Sequence, residues 1–274
     1  MSADDIPRLS PSTAKILLQK SALHAWTFHR LGGDEQAEDT EEATRGRVLD
    51  RMLFGCGPEI VVVDAKDWRT NAAKEARDIA VLAGKLPVLV GKLSQYDDVI
   101  NAWRSQLEDE GIQLAGKSQV KIDWESNGVP CRGRLDHLII GEDRIFIFDG
   151  KSCQDASDSA IQRSVVAFGS DIQHAAYVEG VQENNPDMAG RVDFRFIYAE
   201  VRRPYAINVQ PLAGTMRELG ERKWKRAKRM WGECLRTNKF PGYQGTRPIS
   251  ATAWQLAEEQ EREMPDSDNA TLPF

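Results

Sequence analysis

Between residues 117 and 153, apolar and polar side chains alternate with a period of two in "SQVKIDWES", "VPCRGRLDHLII" and "RIFIFDGKS". This is the signature of strands with two unlike faces. Asn127-Gly128 and "GED" separate the three runs. An Asn-Gly pair is a strong hairpin signal, so a three-stranded meander is expected. Upstream the period is helical: "SPSTAKILLQKSALHAWTFHR" opens on serine and proline and spaces Ile16, Leu17, Leu18, Leu23 and Trp26 for one helix. After the acidic, Gly-containing "LGGDEQAEDTEE", a second helix is read in "EEATRGRVLDRMLFG". Residues 71 to 83 and 92 to 110 give two more, the last ended by Gly111. The first hundred residues are therefore expected to be mostly helical. Downstream, two helices at about 155 to 168 and 170 to 184 should precede paired strands in "VDFRFIYAEVRR" and "YAINVQPL", then a long helix from about 213 to 237. This order, without an internal repeat, fits one α/β or α+β domain with a mixed central sheet. The boundaries read as a single domain over 1–257 and an acidic tail over 258–274, whose last ten residues are expected to be mobile.

Composition narrows the picture. At 274 residues, the chain is long enough for one large domain or two small ones, and a charged fraction of 28% excludes a disordered or fibrous chain. A net charge of −6 and a pI near 5.4 argue against a basic coat for non-specific nucleic-acid binding but leave room for a local basic groove. No apolar run approaches the ~18 residues that span a bilayer, and "MSADDIPRLSPS" does not read as a secretory signal; a cytoplasmic location, without a membrane partner, is expected. Cys56, Cys131, Cys153 and Cys234 stand singly, which reads as reduced structural thiols rather than a metal site.

The candidate chemistry lies at the end of "RIFIFDGKS". In a strand, Asp149 and Lys151 share a face, and Gly150 leaves its carbonyl accessible. Asp136, on the preceding strand after Arg132 and Arg134, is placed by the hairpin near Asp149. Two carboxylates and a carbonyl make a hard-oxygen site suited to Mg²⁺ or Mn²⁺. A lysine beside it can orient or deprotonate water and offset charge on a phosphoryl oxygen. An exposed Asp–Lys pair at a strand end is the plainer alternative, worth under ~1 kcal/mol. In "DIQHAAY", Gln173 and Tyr177 stand at i and i+4 on one helical face and can approach the same place.

The chain resembles the RecE-type phage and prophage exonucleases of the PD-(D/E)XK superfamily, related more distantly to lambda exonuclease and RecB nuclease domains. The resemblance runs from about residue 9 to 257 through "LSPSTAKILLQKSALHAW", "RGRVLDRMLFG", "WRTNAAKEARD", "DWESNGVPCRGRLDHLII", "FIFDGKS", "DIQHAAYVEG" and "KFPGYQGTRPISATAWQLA", in collinear order. It implies a PD-(D/E)XK α/β core in which Asp136, Asp149 and the Gly150 carbonyl bind the catalytic metal. Lys151 would be the catalytic lysine, and Gln173 with Tyr177 the supporting QxxxY pair. Two positions depart from the pattern. Asp50 in "RGRVLD" stands where histidine is common; aspartate can still ligate magnesium, with an altered metal preference. Gln119 matches a usual glutamate, leaving one negative ligand fewer.

Weaker signals surround this core. The helix "RELGERKWKRAKRM" carries Arg217, Arg222, Lys223, Lys225, Arg226, Lys228 and Arg229, which reads as a solvated face or as the lining of a duplex channel. Ser12 and Lys15 in "PSTAK" read as a helix cap with a surface lysine, or as a 5′-phosphate contact. The seven tryptophans read as core or interface residues. The expected function is a Mg²⁺-dependent deoxyribonuclease, an exonuclease on linear double-stranded DNA. From the resemblance come 5′→3′ polarity, a ring-shaped homo-oligomer and a single-strand annealing partner in phage-type recombination. The alternatives are an endonuclease or repair nuclease of the same superfamily, and a DNA-end-binding module without catalysis.

Overall fold

The computed structural model describes residues 7–31, 40–243, 245, 246 and 248–263. They fall into two units, one ending at Gly242 and one beginning at Tyr243. In the first, a five-stranded mixed sheet is built from β3 (Lys117–Ser126), β4 (Val129–Ile140), β5 (Ile145–Cys153), β6 (Val192–Glu200) and β7 (Ile207–Pro211), in that spatial order. Only the β5–β6 pair is parallel. The β3–β4 turn uses Asn127 and Gly128, both at positive φ (52° and 74°), as the Asn-Gly signal requires.

Alternation along β5 sorts its side chains onto two faces. Ile145 and Ile147 enter one core with α1 (Pro11–Gln19), α2 (Ala22–Arg30), α6 (Asp158–Phe168), α7 (Ser170–Asn184) and α8 (Gly214–Thr237). Phe148, with Phe146 packed beside it, enters the other, against α3 (Glu41–Phe54) and α5 (Val90–Asp109). α7 has nine buried residues among its fifteen because it lies between the sheet and α8. The expected fold class, a mixed sheet flanked by helices, is the architecture observed.

Two local expectations are corrected. The first helix is two, because the Ser21 hydroxyl accepts from the His24 amide and starts α2, breaking the run after Gln19. The first hundred residues also contain β1 (Ile60–Val63) and β2 (Leu86–Leu89), a parallel pair with α4 (Asn71–Leu82) between them in sequence. Both strands are four-residue apolar runs, too short for periodicity to separate from a helix edge.

The unit from Tyr243 contains α9 (Ala253–Glu263). The last ten residues, expected to be mobile, lie outside the described residues, as does most of the acidic segment after α2. Among the described residues no helix is long and apolar enough to cross a membrane. All four cysteines are free thiols.

Candidate active site

Asp136 sits where two strand ladders stop. Toward β5, pairing ends at His137–Phe148, so Asp136 and Asp149, next in register, are unpaired across the gap. Toward β3, the step opposite Asp136 is skipped at Gln119, whose backbone is left-handed (φ 52°). The alternation of β4 slips there too: Leu135 and Leu138, three positions apart, both enter the core on the α7 side. The strands part, and the Gly150 amide, released from the ladder, donates to Asp136 Oδ2 at 3.1 Å. Because the N–H and C=O of a strand residue face the same edge, the Gly150 carbonyl opens on this gap as well.

The remaining expected residues converge from both faces of the sheet. Asp149, 1% exposed, forms an ion pair with Lys151. Gln173, on α7, joins the two: its Oε1 accepts from Lys151 Nζ at 3.0 Å and its Nε2 donates to Asp149 Oδ2 at 2.6 Å. Tyr177, one turn further along α7, lies against Gly133 of β4, where an added Cβ would come within 2.8 Å of the ring. From the other face, α3 brings Asp50 over Gly150, where an added Cβ would lie 3.3 Å from Asp50 Oδ1 and 3.1 Å from Phe54. Glycine at 150 thus lets helix and sheet approach closely enough for Asp50 to reach the gap. Gln119, in the glutamate position, donates weakly to Asp136 Oδ1 at 3.5 Å.

The charges in this cluster are unevenly compensated. Burial and the neighbouring Asp149 and Asp50 carboxylates push the Asp136 carboxyl well above the usual range. Burial, followed by Asp149, pushes Asp50 up to about 7. For Lys151, burial disfavours the cation, but Asp149 and Asp136 outweigh it and raise its pKa. Asp149 Oδ1 is met by the Lys151 ammonium, and Asp149 Oδ2 by the Gln173 amide. Among the described residues no three His, Cys, Asp or Glu side chains already converge as metal ligands. Lys151, Gln173 and the Gly150 amide occupy the carboxylates instead.

The cluster lies in a cleft of about 850 Å³. Arg8, Lys15, Lys121, Arg132, Arg134 and Lys151 line it, against four aspartates, Asp50, Asp123, Asp136 and Asp149. A chain of net charge −6 therefore carries a cleft with a cationic surplus. Ser12 and Lys15 also line this cleft, whereas the α1 cap is Ser10, which accepts from the Thr13 amide. The basic run on α8 does not line it: Lys223 pairs with buried Asp171, Lys228 with Glu179, and Arg222 with Glu218.

Sequence reading missed Arg8 and Lys121 as cleft cations. Hairpin register carried a signal for Lys121, which pairs with Arg134. It also missed a tie between α3 and the hairpin: Ser118 Oγ donates to the Phe54 carbonyl at 2.9 Å and lies 2.8 Å from His137 Nδ1. No local pattern marks that contact.

A family model described as "PDDEXK-like domain of unknown function (DUF3799)" matches residues 90–247, which hold the site residues from Ser118 to Tyr177 but not Arg8, Ser12, Lys15, Asp50 or Phe54. Among solved structures, a "Putative exonuclease" from Eubacterium rectale is similar at 15% identity and a TM-score of 0.53, over 91% of this chain and 96% of that one. A phage related exonuclease from Haemophilus somnus 129PT aligns at 12% identity and a TM-score of 0.31, over 70% of this chain and 95% of its own. No curated protein matches the chain.

Proposed function

The chain belongs to this PDDEXK-like family, and from that premise we propose that it is a divalent-metal-dependent deoxyribonuclease that degrades linear double-stranded DNA from an end. The observation that carries the reading is the gap between β4 and β5, where Asp136, Asp149, Lys151 and Gln173 meet at the floor of a cation-lined cleft.

The residues fit Mg²⁺ or Mn²⁺. Their donors are carboxylates and a carbonyl, and the crowded, upward-shifted Asp50 and Asp136 carry a repulsion that a dication would relieve. Asp136, Asp149 and the Gly150 carbonyl would hold the ion, with Asp50 on the α3 side. The ion would polarise a phosphodiester oxygen and lower the pKa of a bound water. Lys151, with its ammonium freed from Asp149, would orient the attacking water or neutralise charge developing on the phosphoryl oxygens. Gln173 fixes both of these groups by hydrogen bonds, and Tyr177 braces α7 on β4. Arg132, Arg134 and Lys121 would contact backbone phosphates, whose pairing with cations supplies most sequence-independent affinity.

The resemblance alone supports 5′→3′ polarity, a ring-shaped homo-oligomer, a single-strand annealing partner in phage-type recombination and a cytoplasmic setting. Gln119 in the glutamate position favours a second reading, an end-binding module with impaired catalysis. Linear and circular duplexes, each with Mg²⁺, Mn²⁺ or chelator, separate the readings. Metal-dependent loss of linear DNA alone is expected. Cutting of circles would indicate an endonuclease, and retained end binding without cutting would indicate the module.

A further inference from the structure

Phe168 breaks the pattern of its own helix. On α6 the apolar stripe runs Ile161, Val165, Phe168, at i, i+4 and i+7. Ile161 and Val165 are buried at 7% and 2%, but Phe168 is 72% exposed. The stripe runs off the core at its last turn and presents the ring to the cleft, whose wall Phe168 joins. A single exposed aromatic residue is ordinary on a protein surface, but three features distinguish this one. Lys15 Nζ lies 5.7 Å from the ring centroid. Gly169, left-handed at φ 74°, ends α6 and begins α7 at once, so the ring is joined directly to the helix that enters the site. The Gln173 amide donates to the Gly169 carbonyl at 3.0 Å, so the residue that follows Phe168 opens the helical turn whose side chain bridges Lys151 and Asp149.

We infer that Phe168 is a base-stacking residue: its ring takes the face of an unpaired nucleobase in the cleft that holds the phosphodiester at the carboxylates. A base inside a duplex has both faces covered, so the residue selects a substrate end whose terminal pairs have opened. Stacking offsets part of the cost of opening them. The inference rests on the nuclease reading and adds the state of the DNA end that the site accepts.

The test compares the parent with Phe168→Ala, Phe168→Leu and Phe168→Trp on linear duplexes in Mg²⁺. One duplex set has intact terminal nucleotides and a second has abasic sites at the last two positions of each strand. Thermal melting and oligomeric state are recorded for each protein. On intact ends, Phe168→Ala should lower kcat/KM by about 5- to 150-fold, the range of one base–aromatic stack. Phe168→Trp should restore it, and Phe168→Leu should not. On abasic ends the parent should already be slow, and the alanine variant should add no further loss. Equal losses on both duplexes, no loss on intact ends, rescue by leucine, or a loss that follows a change in oligomeric state would each overturn the assignment. A parent that cuts neither duplex with Mg²⁺ or Mn²⁺ would instead overturn the nuclease reading, and this inference with it.

Discussion

Two clusters of buried charge lie on the same sheet and are treated in opposite ways. Behind α7, Glu179 accepts from the Trp124 and Trp224 indoles at 3.0 and 3.1 Å and pairs with Lys228, whose ammonium also donates to Ser126 Oγ at 2.6 Å. Burial alone would raise the Glu179 carboxyl, but the lysine and the two indoles outweigh it and hold it below the usual value. At the β4–β5 gap the same residue types end the other way. Two of three carboxylates are pushed up, and the third is met by a lysine that also donates to Gln173. The first cluster is complete with its own side chains, and the second is short of positive charge. A buried carboxylate that the chain leaves under-compensated is a candidate for what the chain must bind, whereas a satisfied one is structure.

The largest contrast should come from removing one carboxylate of the incomplete cluster. Asp149→Ala should lower DNA hydrolysis by roughly 10³-fold or more while DNA binding survives, because a metal ligand is lost and no phosphate contact is. Steady-state cleavage beside a binding titration in chelator checks it, and activity within a few-fold of the parent would reject the metal assignment. In the complete cluster, Lys228→Met should cost about 1–3 kcal/mol of stability by leaving the partly buried Glu179 without its cation. Turnover per folded molecule should stay within a few-fold of the parent. Urea unfolding reads the first quantity and cleavage the second, and a turnover defect without a stability loss would erase the distinction between the clusters. Lys151→Ala should slow turnover by roughly 10²-fold, the range of acid–base and electrostatic groups. It should also free Asp149 and Gln173 from the ammonium they now share. Turnover equal to the parent's would remove Lys151 from the chemistry.

How much of this was legible in the chain depended on whether the signal was local. The meander is written in period-two alternation and an Asn-Gly turn, so the approach of Asp136 to Asp149 follows from hairpin geometry. The i, i+4 spacing of Gln173 and Tyr177 put both on one face, although only the tertiary fold brings that face to β4 and β5. What stayed hidden depends on packing. The left-handed Gln119 that breaks the ladder has no sequence mark, since left-handed non-glycine residues are set by context. The α8 basic run reads as one stripe, yet Lys223 and Lys228 turn inward to Asp171 and Glu179, partners 52 and 49 residues away. Phe168 fits an apolar stripe and would be read as core. Only the termination of α6 at the cleft exposes it.

The smallest effect concerns Asp50 and tests the charge deficit without any catalysis. Its carboxyl is held at about 7 in the fold against an ordinary 3.8. Between those values the folded chain binds a proton that the unfolded chain has released. Stability must therefore fall as pH rises through the window, and the loss is complete above about 7. The full shift is worth about 4 kcal/mol at 1.36 kcal/mol per unit; water reaching a half-buried carboxylate should reduce this to about 1–2 kcal/mol. Asp50→Asn removes the charge and keeps the shape, so in chelator it should be more stable than the parent at pH 8 by that amount and nearly equal at pH 4. Because Asp50 also raises Asp136, the difference includes their mutual repulsion. Added Mg²⁺ should close most of the gap by stabilising the parent more than the variant, since a cation bound only to the folded state offsets the repulsion by mass action. Urea unfolding at the two pH values, with and without Mg²⁺, reads all of this directly. Parallel curves for the two proteins would place Asp50 outside the charge cluster and leave the site with the two carboxylates of β4 and β5.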